Sequence, residues 1–461
     1  MKRQDFYNDC RIKYPTFTYE DYSYELTEDE ISLSYSFSID GLSTFHPTWK
    51  IARINKVDYP LNEALLDEMA FSLGMVELIS YWKIACPPTV HIKCHSISEK
   101  QIDWWKKLYW GGLGEFYYTN GITDELDTFM QITCNEAATH TPAVTASPLA
   151  NLNADKTRVI IPVGGGKDSV VSIELLKEKT DRYCYIINSR GATEETVQVA
   201  GLKEKTIYAK RTLDKNMLDL NKQGFLNGHT PFSALVAFST IIAGYLNGIS
   251  YVALSNENSA NESTVEGSYV NHQYSKSYEF EEDFRKYESE FIGSGVYYFS
   301  FLRPLSELQI AMLFSRFKAY HGVFKSCNVG SKQDIWCGHC PKCLFVYIIL
   351  SPYLTLEELD NIFKKRLFED ETLMEDFDKL CGVVPEKPFE CVGSRDEVNA
   401  SLTEAIRIYE ENGIELPVLL AHYKEQAHTP AVLFNNYKGQ FASVHGLNDF
   451  FKSIVWDAIN E

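Results

Sequence analysis

The sequence predicts an α/β protein centred on a parallel β-sheet, and three observations lead to that fold class. After residue 157, short apolar runs alternate with helix-like segments, which is the order of a parallel sheet with crossover helices. The first run, Val159–Val163, is continuously apolar, as in a strand buried on both faces. Three glycines, Gly164, Gly165 and Gly166, then lead into a helix-like segment.

The chain as a whole is predicted to have three parts. At 461 residues it is too long for one ordinary core. We expect an α+β domain over residues 1–145, the parallel-sheet domain with a cysteine cluster over 157–350, and a mainly helical region over 351–461. The Thr- and Pro-rich stretch from 138 to 157 has the composition of a linker.

The first part is predicted to mix strands and helices. Ile31–Ile39 alternates apolar and polar residues with the two-residue period of a half-buried strand, and Asp40-Gly41 follows as a turn. The other elements expected here are an amphipathic helix over Leu61–Trp82, a strand over Val90–Cys94, and a helix over Lys100–Leu108 that Gly111-Gly112 breaks.

The second part is predicted to supply four parallel strands. The helix after the glycines is expected over Ser169–Lys179, and a long apolar helix begins at Thr230-Pro231, with Thr230 as its cap. The remaining elements are strands at Tyr183–Ile187, Thr206–Ala209 and Tyr251–Leu254, with a helix over Thr193–Ala200. In the last part, Thr355-Leu356-Glu357-Glu358 starts a helix with a capping-box pattern.

Composition and charge exclude several classes of protein. A formal charge of −19 argues against a large nucleic-acid footprint, which needs a basic face. The longest apolar stretch, Ala234–Leu246, is too short to cross a bilayer. No apolar leader follows Met1, so we expect a cytoplasmic protein without membrane insertion. The oligomeric state stays open.

The loop Gly164–Ser169 has the composition of an anion site. Its amides and the following helix start can bind an anion, Lys167 adds a positive charge, and Ser169 adds a hydroxyl donor. Asp168 is expected to cap the helix or to hold magnesium. The spacing fits neither a Walker A loop nor a dinucleotide fingerprint, and the alternative is a plain flexible turn.

Four of the eleven cysteines are predicted to hold a metal ion: Cys327, Cys337, Cys340 and Cys343. Four thiolates suit a tetrahedral structural zinc site. An iron–sulfur cluster is the second interpretation, and buried free thiols are the third.

Polar segments between the glycines and the cysteines are candidates for binding a substrate. Asn256–Glu262 follows the fourth strand, and ligands bind at the carboxyl ends of parallel strands. The expected substrate-binding residues are Asn256, Glu257, Asn261 and Arg303. His272 and Lys276 offer a base and a cation, although each could equally lie in a solvated loop.

The glycine loop resembles the Ser-Gly-Gly-x-Asp-Ser motif of the PP-loop ATP pyrophosphatases, which have an adenine nucleotide α-hydrolase-like fold. Gly164 stands where that motif has Ser, so one hydroxyl contact to phosphate is missing. The resemblance implies ATP and Mg²⁺ as cofactors and cleavage to AMP and pyrophosphate. The expected nucleotide-binding residues are Gly164, Gly165, Gly166, Lys167, Asp168, Ser169 and Asn188.

A combination of motifs narrows the resemblance to the bacterial UDP-N-acetylmuramoyl-L-alanyl-L-glutamate epimerases. They are Pro162–Ser169, Ser255–Glu262, Val270–Ser277 and Trp336–Cys343, with Leu113–Phe116 and Pro388–Gly393 as further stretches. This family implies ATP-dependent inversion of the terminal glutamate of UDP-muramoyl-dipeptide through an acyl adenylate, in peptidoglycan synthesis. The expected catalytic residues are His272, Lys276, Glu262 and Lys167.

Two other functions compete with the epimerase. The first is a cyano-deazaguanine synthase-like or tRNA-modifying ATP pyrophosphatase, because such synthases share the order of loop and cysteine cluster. The second is a zinc-stabilised ATP-binding module without catalytic activity. Chiral analysis of the glutamate separates the first from the epimerase, and pyrophosphate release separates the second.

Overall fold

A computed structural model of the chain describes residues 3–135, 149, 157–261, 274–385, 387–388, 390, 392–426 and 432–461. The chain forms two compact units, and neither is continuous in sequence. The first unit comprises residues 1–160, 207–252 and 269–298, and the second comprises 161–206, 253–268 and 299–461. The predicted division at residues 145, 157 and 350 stays a prediction.

The fold is mixed α/β, as predicted. Its strands are β1 Thr16–Leu26, β2 Glu30–Ile39, β3 Ser43–Phe45, β4 Thr48–Ala52, β5 Thr89–Ile92, β6 Gln131–Cys134, β7 Arg158–Pro162, β8 Asp181–Ile187, β9 Thr206–Thr212, β10 Tyr251–Leu254 and β11 Tyr297–Ser300. Its α-helices are α1 Arg3–Lys13, α2 Glu63–Trp82, α3 Glu99–Gly112, α4 Gly114–Asn120, α5 Lys167–Leu175, α6 Gly191–Val199, α7 Lys215–Lys222, α8 Phe232–Asn247, α9 Tyr278–Tyr287, α10 Glu307–Arg316, α11 Pro341–Leu350, α12 Leu356–Phe363, α13 Met374–Cys381, α14 Arg395–Glu411, α15 Val418–Glu425 and α16 Asp449–Asn460.

In the first unit the strands lie in the order β9-β4-β2-β1-β5-β6, with β3 beside β2. The pairs β1–β2, β2–β4 and β4–β9 are antiparallel, whereas β1–β5 and β5–β6 are parallel. The predicted strand Ile31–Ile39 is confirmed, and its alternate residues from Ile31 to Ile39 are buried. The two-residue period therefore identified the core face of β2 correctly.

A buried carboxylate, that of Glu77 on α2, connects three elements of the first unit. The indole N–H of Trp49 on β4 donates to it at 2.9 Å, and the guanidinium of Arg211 on β9 donates at 2.7 and 2.9 Å. Glu77 is fully buried. Burying a charge costs free energy unless it is paired and hydrogen-bonded, and here both conditions are met.

The glycines at the end of α3 have a different role from the predicted one. The helix does not break before them but continues through Gly112. An added Cβ on Gly112 would lie 2.7 Å from the ring of Pro231, and one on Gly111 would lie 2.7 Å from the ring of Tyr274. Both glycines are thus required by close packing of the helix against rings, which the sequence pattern does not distinguish from a helix stop.

In the second unit, β8 and the neighbouring end of β7 are joined where Val163 N–H donates to Tyr185 O at 2.9 Å. Strands β7 and β10, which each pass from the first unit to the second, pair in parallel with Val159 opposite Tyr251. Parallel pairing was expected from the alternation of strands and helices and is confirmed for this pair. Strand β11 was not predicted.

Two predicted helix starts are wrong by one or two residues. Helix α5 begins at Lys167 rather than Ser169, so Lys167 and Asp168 lie in its first turn. Helix α8 has Pro231 rather than Thr230 at its N-cap position, and Phe232 is its first residue. A capping pattern fixes a helix end only to within a residue or two.

The described residues of the C-terminal region form helices joined by loops, and no strand lies among them, as expected for a mainly helical region. Thr355 caps α12, and its hydroxyl and the Glu358 side chain form the expected capping box. None of the helices in the described ranges combines the length and apolar character that crossing a membrane requires.

Replacing Gly112 by Ala is expected to destabilise the protein by about 1–3 kcal/mol, because the methyl group would overlap the rigid ring of Pro231. Chemical denaturation measures the change. Gly322→Ala is the matched control, since no atom lies within 4 Å of an added Cβ there. Equal stabilities of the two variants would contradict this account of the glycine pair.

Candidate functional site

The glycine loop connects β7 to α5 and has the backbone geometry of an anion site. Gly165 has a φ of +84°, and an added Cβ would lie 2.9 Å from Cβ of Ala192. Gly166 is the N-cap of α5, and among the described residues no side chain caps this helix start. The N–H groups of the first turn are therefore free of a side-chain cap, which leaves them suited to an anion.

Lys167 is buried in the first turn of α5 between two carboxylates. Its ammonium group contacts Asp168 and Glu307, and both Lys167 and Glu307 are 2% exposed. Burial acts to lower the pKa of Lys167, but the charges of Asp168 and Glu307 outweigh it and hold the pKa above its ordinary value. The lysine is thus a fixed positive charge directly beside the glycine loop.

Glu307 was missed as a site residue by the sequence analysis. Burial raises the pKa of its carboxyl to about 8, against the opposing charge of Lys167. Asp168 and Glu257 act in the same sense as burial, because their negative charges lie in its surroundings. At neutral pH we therefore expect one proton on Glu307 and no net charge on the group Lys167, Asp168 and Glu307.

The position of Glu307 is fixed by residues far along the chain. It opens α10 directly after the cap Ser306. Its backbone N–H donates to the Glu397 carboxylate at 2.6 Å, and an added Cβ on Gly393 would lie 3.0 Å from Cγ of Glu307. The available sequence signal was a glutamate on an otherwise apolar helix start, which alone does not indicate its partner.

The predicted substrate segment after β10 lies near this group. The hydroxyls of Ser255 and Ser172 on α5 are 2.8 Å apart. The amide of Asn256 donates to the Ser300 hydroxyl at 3.1 Å. The charge of Glu257 also acts on Glu307, and Ser255 contacts α5, so this segment runs beside the helix that follows the glycine loop. The predicted substrate-binding roles of Asn256 and Glu257 stay predictions.

Arg303 is fully buried and orders the same segment. Its guanidinium donates to the Glu257 carbonyl at 2.7 Å and to the Ser300 hydroxyl at 3.1 Å. Asn258 N–H donates in turn to Leu305 O at 3.1 Å. In this state Arg303 supports the chain around Glu257, and its predicted contact with substrate stays a prediction.

The other predicted residues are placed less completely. Glu262 and His272 lie outside the described residues, and for Asn261 only the backbone at the end of a short 3₁₀ helix is described. Lys276 belongs to the first unit, where it is half-buried in the 3₁₀ turn Tyr274–Lys276. Asn188 is exposed after β8, with a φ of +50°. Their predicted roles are not tested by these positions.

The four predicted metal ligands converge on one point. The sulfur atoms of Cys327, Cys337, Cys340 and Cys343 all lie within 4.8 Å of one another. The Sγ–Sγ separations are 3.9 Å for Cys327–Cys340, 3.7 Å for Cys337–Cys343 and 3.5 Å for Cys340–Cys343. Four sulfurs at about 2.3 Å from a tetrahedral zinc lie roughly 3.8 Å apart, so the thiol set fits such an ion. His339 is exposed and lies outside this sulfur set.

Comparison with known proteins covers most of the chain. Residues 8–301 match the family model of the MurL N-terminal domain, and residues 323–432 match that of the MurL C-terminal domain. A protein of Xanthomonas oryzae pv. oryzae, named UDP-N-acetyl-alpha-D-muramoyl-L-alanyl-L-glutamate epimerase, is 34% identical over 72% of either chain.

Two further proteins of the same name are similar over a longer stretch. The protein of Salinispora tropica is 32% identical over 84% of either chain. That of Micromonospora sp. is also 32% identical, over 84% of this chain and 86% of the relative. No solved structure matches the chain.

Replacing Cys343 by Ser is expected to remove bound zinc and to lower Tm by about 10 °C, since about 1 kcal/mol shifts Tm by roughly 2–4 °C in a unit of this size. Metal analysis per chain and thermal unfolding measure the two effects. Cys381→Ser is the matched control, because this buried thiol lies outside the cluster and its bond to Phe377 O can be kept by a hydroxyl. Full zinc content in the Cys343 variant would exclude this assignment, and iron in the wild type would favour the cluster interpretation.

The pKa of Glu307 predicts a pH dependence of stability. Its pKa is about 8 in the folded protein, whereas the ordinary value of a glutamate side chain is 4.5, so between these pH values the folded protein binds a proton that the unfolded chain has lost. This contribution to stability is complete below about pH 4.5 and is lost as the pH rises to about 8. Glu307→Gln should remove that decline, which denaturation at pH 5, 6.5 and 8 measures. An unchanged pH slope in the variant would refute the assignment of the proton.

Proposed function

The chain belongs to the MurL family of UDP-N-acetyl-alpha-D-muramoyl-L-alanyl-L-glutamate epimerases, and on this premise we propose that it inverts the terminal L-glutamate of that substrate to D-glutamate with ATP. The products with ATP are AMP and pyrophosphate, and the inverted glutamate supplies a peptidoglycan precursor. The observation that supports the ATP-dependent route is the uncapped start of α5 beside the buried cation of Lys167.

The chemistry explains why an epimerase would use a nucleotide. A free carboxylate resists loss of the neighbouring α-proton, because a second negative charge would build up beside the first. In the proposed route a carboxylate oxygen of the substrate bonds to the α-phosphorus of ATP, and the bond to the leaving phosphate oxygen breaks. Pyrophosphate departs with that electron pair, and the resulting acyl adenylate has a more acidic α-proton.

Inversion then needs two proton transfers and a hydrolysis. One base removes the α-proton, donors stabilise the enolate oxygen, and an acid returns a proton to the opposite face. Water finally cleaves the adenylate to the carboxylate and AMP. His272, Lys276 and Glu262 are the proposed proton-transfer residues.

The glycine loop is proposed to hold the phosphates that leave as pyrophosphate. The amides of Gly165 and Gly166, the start of α5 and Lys167 bind the negative charge, with Gly164, Ser169 and Asn188 beside them. The hydroxyl of Ser169 donates to Gly166 O at 3.0 Å, so it stabilises the loop directly. Because Asp168 is not the cap of α5, its carboxylate is proposed to hold Mg²⁺.

The substrate is proposed to lie along the segment after β10. Asn256 and Asn261 offer amide donors, Glu257 an acceptor and Arg303 a cation. The zinc of the four-cysteine site is proposed to be structural, since all four positions of a tetrahedral ion would be filled by thiolates. The chemistry of inversion is therefore assigned to residues outside the four-cysteine site.

Lys167→Met is expected to reduce ATP-dependent formation of D-glutamate by about 10²-fold or more, because one cation that stabilises the leaving phosphates is lost. The measurement is chiral analysis of UDP-muramoyl-dipeptide after incubation with ATP and Mg²⁺, together with pyrophosphate release. Lys177→Met is the matched control, since that lysine is largely exposed and pairs at 3.6 Å with Glu174.

Three outcomes of this experiment would contradict the proposal. Inversion without ATP would remove the adenylate route while leaving the epimerase. Pyrophosphate release with unchanged L-glutamate would instead favour a nucleobase-modifying enzyme. Binding of ATP without pyrophosphate release would favour the non-catalytic module.

A further inference from the structure

One segment of the second unit touches both the cysteine cluster and the glycine loop. The backbone N–H of Lys325, two residues before Cys327, donates to Gly165 O at 2.7 Å. An added Cβ on Gly166 would lie 3.4 Å from Cβ of Ser326, so Ser326 lies close beside this glycine. Residues 325 and 326 thus lie directly beside the glycine loop. We call residues 325–334 the buttress segment.

The far end of the buttress segment holds the start of α6. A carboxylate oxygen of Asp334 accepts the backbone N–H of Ala192 at 2.9 Å. Asp334 has a φ of +56°, and a Cβ on Gly191 would lie 2.2 Å from its other carboxylate oxygen. Ala192 is also the residue that an added Cβ on Gly165 would meet. The buttress segment therefore contacts the glycine loop directly through Lys325 and indirectly through Asp334.

A cation between the two ends strengthens this arrangement. The ammonium group of Lys325 lies 3.9 Å from the Asp334 carboxylate and 3.8 Å from that of Glu195 on α6. Lys325 is only partly exposed, so the pair is shielded more than an ordinary surface pair. Backbone and side chain of the same lysine thus tie the buttress segment to both the loop and α6.

The buttress segment has almost no core of its own. Among residues 328–336, all of which the structure describes, only Gly330 is buried, and Val329 and Ile335 are half or more exposed. What anchors the stretch is sulfur: Gly330 N–H donates to Sγ of Cys327 at 3.1 Å, and Cys337 N–H donates to the same sulfur at 3.5 Å. Trp336 packs against the rings of Phe324 and Phe363, but a loop with so few buried side chains still depends on such anchors for its conformation.

From these contacts we infer that the metal of the four-cysteine site positions the glycine loop through residues 325–334, so that nucleotide binding requires the metal. The metal is a positioning element here, remote from the reacting atoms. The dependence of nucleotide affinity rests on the proposed function, whereas the mechanical coupling of metal site and loop does not.

Hydrogen–deuterium exchange of the full chain tests the coupling without any nucleotide. Zinc is removed by a chelator under reducing conditions, and exchange is compared with the zinc-loaded protein. We expect the amides of 164–169 and 191–193 to exchange about tenfold faster or more, as expected for lost supporting contacts, while α8 in the first unit is unchanged. Faster exchange in 325–340 with an unchanged glycine loop would overturn the inference.

A variant that keeps the metal separates coupling from general damage. Asp334→Gly removes the carboxylate but allows the positive φ, and all four cysteines remain. We expect full zinc content and a Kd for Mg-ATP about tenfold higher than that of the wild type. This is the effect of losing one charge-assisted hydrogen bond. Asp334→Asn, which keeps an acceptor oxygen and tolerates the same φ, should restore most of the affinity.

The results distinguish this inference from the proposed function. If the zinc-loaded wild type binds no Mg-ATP, the proposed function fails, and the exchange experiment still decides the coupling. If the wild type binds Mg-ATP, the metal-free protein and Asp334→Gly are each compared with the zinc-loaded wild type. Kd values that equal that of the wild type overturn the inference.

Discussion

The electrostatic balance around Lys167 constrains everything near the glycine loop. A buried ammonium group is tolerated only with counter-charge, and Asp168 and Glu307 supply it. Burial is the main reason why Glu307 keeps a proton near neutrality, and the nearby negative charge of Asp168 acts in the same sense. The free site is therefore close to neutral. A protonated Glu307 lessens the negative charge beside the proposed phosphate position.

The glycine loop takes its form from distant parts of the second unit. Lys325 binds its backbone, Ala192 limits the space beside Gly165, and Glu397 fixes Glu307. Each of these contacts joins residues more than twenty positions apart, so none is visible in the local sequence. The C-terminal helices contribute to the same site, because Glu397 lies at the start of α14. This agrees with the membership of both the N-terminal and C-terminal segments in one family.

Local patterns were sufficient for several of the elements and for the grouping of the four cysteines. The alternation in β2, the capping box at Thr355 and the closely spaced cysteines each depend on neighbours within a few residues. Long-range packing was not predictable from them. Gly112 resembles a helix stop until Pro231 is seen against it, and Glu307 resembles an ordinary first-turn acid until Lys167 is placed. The placement of the chain among the ATP pyrophosphatases stays a prediction.

The bond between Glu77 and Arg211 has a consequence for how the protein is made. Trp49 and Glu77 leave the ribosome well before Arg211, which reaches them from beyond the glycine loop. Until Arg211 has been made, no cation can pair with Glu77. Burying the Glu77 carboxylate then costs free energy, so α2 cannot pack as it does in the complete protein. A fragment that stops at residue 145 would keep the hydrogen bond from Trp49 to this acid but would lack the cation of Arg211. The N-terminal half must therefore wait for the strand that follows α6 before its core can close.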